Sequence, residues 1–136
     1  MTTIATDGKT IAAESRSIGS FIVQGDVKKL YRLKDGRVAG TCGASWATEV
    51  FIQWMNGEGE KPVIEDGFGA LVLGEEVTFY CSKLSPLIVK PPYAIGSGCE
   101  FAMGAMLAGK SPKEAVKIAI KLDEGSGGKI TVMRPK

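Results

Sequence analysis

Few residues in this chain can do chemistry, and the first of them is Thr2. An initiator methionine before a small residue is usually trimmed, and trimming would leave a free α-amine and a hydroxyl on one residue. An α-amine titrates near pH 8, so a useful fraction is neutral at physiological pH and can take a hydroxyl proton directly or through water. That supply of base matters because the chain contains no histidine. The Ser-His-Asp and Cys-His mechanisms and any histidine-based metal centre are therefore excluded. Cys42, Cys81 and Cys99 are widely spaced and odd in number. They suggest neither a disulfide framework nor a zinc site and read as reduced, mostly buried side chains. No metal or other cofactor is expected.

Two other groups invite a functional reading. Lys28 and Lys29 are adjacent; taken by themselves they read as the exposed edge of a strand. "GAMLAGKS", Gly104 to Ser111, matches the phosphate-loop pattern in full. A phosphate loop, however, needs a strand entering and a helix leaving directly after Lys-Ser. Here the first glycine sits in a helical pattern, Gly109 reads as a helix end, and Pro112 opens the next helix. Nucleotide binding is set aside.

The elements that must position Thr2 follow from turn chemistry and periodicity. Asp7-Gly8 joins β-prone runs at Thr3 to Thr6 and Thr10 to Glu14, and Asp35-Gly36 joins "KKLYRL" to "RVAGTCG", so two antiparallel hairpins are expected. Trp46, Val50 and Trp54, with Ala47, Phe51 and Met55, recur at helical spacing up to Asn56-Gly57. A loop follows, then strands in "ALVLG", "EVTFYCS" and "YAIGSG". "CEFAMGAMLAG" suits a buried helix ending at Gly109. "SPKE" starts the clearest helix: Ser111 as N-cap, Pro112 in the first turn, Glu114 closing a capping box, and Ala115, Ile118, Ala119 and Leu122 on one face. "KITVM" is a last strand. Strands, helix, strands, two helices and a strand argue for an α+β fold of antiparallel sheets covered by helices.

Composition sets the remaining bounds. The 136 residues, 44% hydrophobic and 24% charged, suit one domain over 1–136 with a single core. No apolar run is long enough to cross a bilayer, and no secretory signal opens the chain, so no membrane partner and a cytoplasmic location are expected. A net charge of +2 with both signs interspersed gives no basic stripe for nucleic acid.

Taken in order, "TTI", "IAAESRS", "GDVKKL", "VAGTCG", "AIGSG" and "DEGSGG" resemble the proteasome β-subunit family of N-terminal nucleophile hydrolases. The likeness is to its HslV type and to short bacterial or phage relatives, and it spans nearly the whole chain. It implies a four-layer αββα sandwich and a threonine peptidase acting in a homo-oligomeric ring on peptide or unfolded protein, with an ATPase unfoldase as a possible partner. By the resemblance, Thr2 is the nucleophile. Lys29 is the lysine that favours the amine's free-base form through like-charge repulsion, with Lys28 pointing to the opposite strand face. Glu14 in "ESR" stands where the family has the aspartate of "DSR", and at that position it would pair with Lys29. Gly40 supplies an oxyanion N–H, while Ser97, Asp123 and Ser126 complete the network orienting the amine. Cys42 lines the pocket for the substrate side chain before the cut. The family usually carries two helices between the early and middle strands, and this chain has one. A non-catalytic assembly protein keeping the same fold is the alternative.

Overall fold

The computed structural model describes residues 2–19 and 22–136. The elements, in chain order, are β1 (Ile4–Thr6), β2 (Ile11–Ala13), β3 (Arg16–Gly19), β4 (Ile22–Asp26), β5 (Leu30–Arg32), β6 (Val38–Cys42), α1 (Ser45–Met55), β7 (Gly69–Leu73), β8 (Val77–Cys81), β9 (Leu87–Val89), β10 (Tyr93–Ile95), α2 (Cys99–Leu107), α3 (Pro112–Leu122) and β11 (Thr131–Met133). They form an α+β fold. One sheet has the order β10-β1-β2-β11 and the other β5-β6-β7-β8-β9, with β3 and β4 as a separate hairpin. Among the described residues every pairing is antiparallel.

Strand alternation sorts the side chains into layers. Ile4, Ile11 and Ala13 point from the first sheet into a core shared with Leu30, Val38, Leu71, Leu73 and Val77 of the second. Ala5, Ala12 and Ala94, opposite one another across β1, β2 and β10, face away onto α2 and α3. The outer face of the second sheet carries Ala39, Ala70, Val72 and Tyr80 against α1. Phe51 of α1 is fully buried there, its ring 5.2 Å from Phe68 and 5.3 Å from Tyr80. The layers are thus α2 and α3, sheet, sheet, α1.

Local chemistry explains the helix ends. Glu114 N–H donates to Ser111 Oγ at 3.2 Å and Ser111 N–H to a Glu114 carboxylate oxygen at 3.1 Å, the reciprocal box that starts α3. The phosphate-loop pattern resolves into a helix end and a helix start. Gly104 lies inside α2, Gly109 turns the chain at φ +100°, and Ser111 caps α3.

The structure corrects two expectations. The buried face of α3 is Pro112, Ala115, Val116 and Ala119, and Leu122 stays exposed, because the layer beneath is alanine and admits only small side chains at close range. The β3–β4 hairpin and β9 add strands that the sequence pattern does not predict. β4 is exposed along its length and β9 is a sheet edge with Leu87 and Ile88 exposed, so neither shows the alternation of a half-buried strand. The three cysteines are free and mostly buried, as expected.

Candidate active site

Thr2 precedes β1 and is 3% exposed. Its nitrogen donates to Ser97 Oγ at 3.1 Å, and its carbonyl accepts from Gly98 N–H at 3.2 Å. The turn "GSG" between β10 and α2 makes this possible through its glycines. A Cβ at Gly96 would sit 2.1 Å from the Thr2 carbonyl oxygen, and one at Gly98 2.0 Å from Thr3 Oγ1.

Lys29, just ahead of β5, turns its buried ammonium onto three oxygens: Glu14 Oε1 at 2.5 Å, the Arg16 carbonyl at 2.8 Å and Thr2 Oγ1 at 3.0 Å. A glutamate in place of the family aspartate thus reaches the lysine in full. Glu14 follows β2, is 1% exposed, and accepts four bonds: Lys29 and Thr3 N–H on Oε1, Arg16 N–H and Gly127 N–H on Oε2. Burial of a carboxylate is costly unless hydrogen bonds and a counter-charge replace its water, and here both do.

The loop after α3 closes the other side. Asp123 Oδ2 accepts from Ser97 Oγ at 2.7 Å and from Ser126 Oγ at 2.6 Å. Since the single Ser126 hydroxyl proton is then committed, Thr3 Oγ1 is the donor in its 2.6 Å contact with Ser126 Oγ. Partial burial works to raise the Asp123 carboxyl, but the two hydroxyls and the Gly125 N–H outweigh it and hold the group below the usual carboxylate range. A chain of hydrogen bonds therefore runs from Thr2 N through Ser97, Asp123 and Ser126 to Thr3.

A cavity of about 150 Å³ opens beside Thr2, Lys29, Lys28, Tyr31, Cys42 and Thr48. Burial pushes the Cys42 thiol up, so it is a neutral wall group at pH 7. A larger hollow of about 520 Å³ by Asp35, Arg37, Glu76 and Lys136 holds none of the groups just described.

Most of the expected site residues come together: Thr2, Glu14, Lys29, Ser97, Asp123 and Ser126 in one hydrogen-bonded cluster, Cys42 in the adjoining wall. Gly40 stands apart from the cavity; it lies within β6 between Leu30 and Leu71, and its α-carbon faces Ile4 and Leu30 of the core. Its successors Thr41, Cys42 and Gly43 border the cavity instead. Lys28 is exposed, yet it too borders the cavity, its ammonium 4.8 Å from the centre of the Tyr31 ring. Opposite strand faces do not separate the two lysines, because both precede β5.

Sequence reasoning missed Thr3, Arg16 and the Thr41–Thr48 hydroxyl pair at 2.9 Å, which ties β6 to α1 at the cavity floor. The "TT" doublet was the only available signal for Thr3. Among the described residues, no three His, Cys, Asp or Glu side chains gather where a metal ion would fit, and no helix is long and apolar enough to cross a membrane.

Neither a protein-family model nor a curated protein matches the sequence. Solved structures do match over nearly the whole chain. Eukaryotic HslV from Trypanosoma brucei is similar at a TM-score of 0.75 and 21% identity, covering 97% of each chain. Thiobacillus denitrificans BPH is similar at a TM-score of 0.71 and 17% identity, and BPH in complex with epoxomicin at 0.73 and 15%, each covering 99% of this chain and 98% of theirs. The fold is that of HslV and BPH, the αββα sandwich expected from the sequence.

Proposed function

We propose that this chain, acting as one domain over 1–136, is a proteasome-type threonine peptidase that cuts peptide bonds with Thr2 once Met1 has been removed. Met1 itself lies outside the described residues. The observation that carries the reading is the Lys29 ammonium, 3.0 Å from Thr2 Oγ1 and fixed by Glu14 at 2.5 Å. A fold shared with HslV and with a protein solved in complex with epoxomicin supports it.

In this reading Thr2 Oγ1 attacks the substrate carbonyl while its proton passes to the freed α-amine, directly or through a water. The cation beside the hydroxyl favours the amine's neutral form by like-charge repulsion and steadies negative charge developing on Oγ1. Ser97, anchored on Asp123 with Ser126, accepts from the Thr2 nitrogen and aims it. The proposed oxyanion donor is the backbone N–H of Gly43 beside the cavity rather than that of Thr41, which is given to the Lys29 carbonyl at 3.1 Å, and Cys42 lines the pocket before the cut. The scissile C–N bond then breaks, the amine passes its proton to the leaving nitrogen, and water hydrolyses the Thr2 ester. Assembly into a homo-oligomeric ring that admits peptide or unfolded chains, with an ATPase unfoldase as feeder, belongs to the same proposal.

The test is intact mass spectrometry with fluorogenic peptide cleavage. Loss of Met1 and activity that vanishes in Thr2→Ala are expected. Met1 retained in every native preparation, or equal activity in Thr2→Ala, would leave only a self-assembling structural role for the fold.

A further inference from the structure

The cavity beside Thr2 has an unusual charge arrangement. Among the described residues, two cations border it and no carboxylate does. Lys29 is neutralised by Glu14 at 2.5 Å. Lys28 is not matched in this way: no carboxylate among the described residues lies within ion-pair distance of its ammonium. That ammonium is nonetheless placed. The Tyr31 hydroxyl donates to the Lys28 carbonyl at 2.9 Å, and the Lys28 ammonium lies 4.8 Å from the centre of the same ring. A cation over an aromatic face is held by the ring's quadrupole, which limits the conformations of an otherwise mobile side chain. The other polar wall groups, the hydroxyls of Thr41, Thr48 and Ser45 and the neutral Cys42 thiol, bring no negative charge.

From this arrangement we propose that the cavity selects an acidic side chain, Asp or Glu, in the residue on the acyl side of the cut bond, with Lys28 as its counter-charge. The inference rests on the peptidase reading for its position relative to the cut, but the charge preference of the cavity stands on Lys28 itself. A carboxylate entering there gains the ammonium and the wall hydroxyls as partners. A lysine or arginine entering meets Lys28 as a like charge, and an amide of equal shape loses the Coulomb attraction. Lys28 is exposed, so the preference is moderate and screened: about fivefold for Glu over Gln at low salt, falling as ionic strength shortens the Debye length. Glu49 borders the neighbouring hollow, not this one, although Tyr31, Ser45 and Thr48 line both.

The experiment uses the processed protein and four fluorogenic peptides identical except for Glu, Gln, Leu or Lys before the fluorophore. A kcat/KM ratio of Glu to Gln near five, falling towards one in Lys28→Gln and below one in Lys28→Glu with cleavage after lysine rising, supports the proposal. Gln and Leu peptides cut as well as Glu, or a ratio unchanged in Lys28→Gln, overturns it while leaving the peptidase reading intact. A second arm measures fluorescence-polarisation binding of labelled, uncleavable acetyl-peptides ending in Glu or Gln to Thr2→Ala, with and without Lys28→Gln. If no peptide is cut but the Glu peptide binds better in a Lys28-dependent way, the peptidase reading falls and the acid selectivity stands. If no peptide is cut and the two bind alike, both fall.

Discussion

Replacing Glu14 by glutamine keeps the side chain's size and removes its charge. Four donors converge on this carboxylate: Lys29 Nζ and Thr3 N–H on one oxygen, Arg16 and Gly127 N–H on the other. A carboxylate accepts at both oxygens, but an amide accepts at one and donates at the other. Whichever way the new amide is turned, two donors therefore face an N–H₂ group, and the lysine loses its counter-charge in a site where Glu14 is 1% exposed. Removing one partner of a buried ion pair costs about 3–5 kcal/mol, and leaving a buried donor without its acceptor about 1–3. The terms overlap, so about 4 kcal/mol is expected. Lys29→Met is milder, because Glu14 keeps three backbone N–H donors, so the low end of the ion-pair range, about 3 kcal/mol, is expected. At roughly 4 °C per kcal/mol for a chain of this size, melting falls by about 15 °C and about 12 °C respectively. Urea titration and calorimetry on both single variants and the double variant read this directly. The double variant is expected to cost less than the sum of the two, because the same pair is broken only once. A Lys29→Met loss equal to or larger than that of Glu14→Gln would show that Glu14 is not the hub described here.

Other outcomes follow from the same geometry. Gly96→Ala places a methyl 2.1 Å from the Thr2 carbonyl oxygen at a φ of +98°, so it is expected to destabilise by about 2–4 kcal/mol and to displace Thr2, read as lost melting temperature and lost peptide cleavage together. Ser111→Ala removes half the box that starts α3, for about 1 kcal/mol in urea titration with little effect on cleavage. The folded Asp123 carboxyl titrates below its ordinary value, so its contribution to stability is complete above the unfolded value of 3.8 and is lost as pH falls through the lower folded one. The stability gap between wild type and Asp123→Asn should accordingly be flat from about pH 5 to about pH 8 and shrink at the acid end of a pH series of melting curves.

Much of the sandwich could be read from the chain because its signals are local. Asp7-Gly8 and Asp35-Gly36 mark hairpins whose register then follows from alternation, and Ser111-Pro112 with Glu114 marks a helix start. The buried face of α3 was legible only in part, since Val116 and Leu122 are equally apolar and the alanine layer of another sheet decides between them. β4 and β9 lie on exposed edges, where side-chain pattern carries little information about pairing. The cluster around Thr2 draws on residues up to 123 positions apart, as Thr3 and Ser126 show, and no spacing rule connects such partners. Family resemblance located Glu14, Lys29, Ser97, Asp123 and Ser126, whereas the contribution of Thr41, Thr48 and Lys28 to the cavity needed coordinates.

The alanines between the first sheet and its helices set a gauge. Ala5, Ala12 and Ala94 meet Ala102, Ala105, Ala115 and Ala119, so α3 rides about as low on the sheet as a helix can, and the loop leaving its end comes down level with Thr3 and Ser97. A bulkier residue at Ala12 would act as a shim, lifting the helix and tilting Asp123 and Ser126 off their marks. Alignment of Thr2 could thus be tuned over generations, or by an engineer, from a position that touches none of the groups bonded to it.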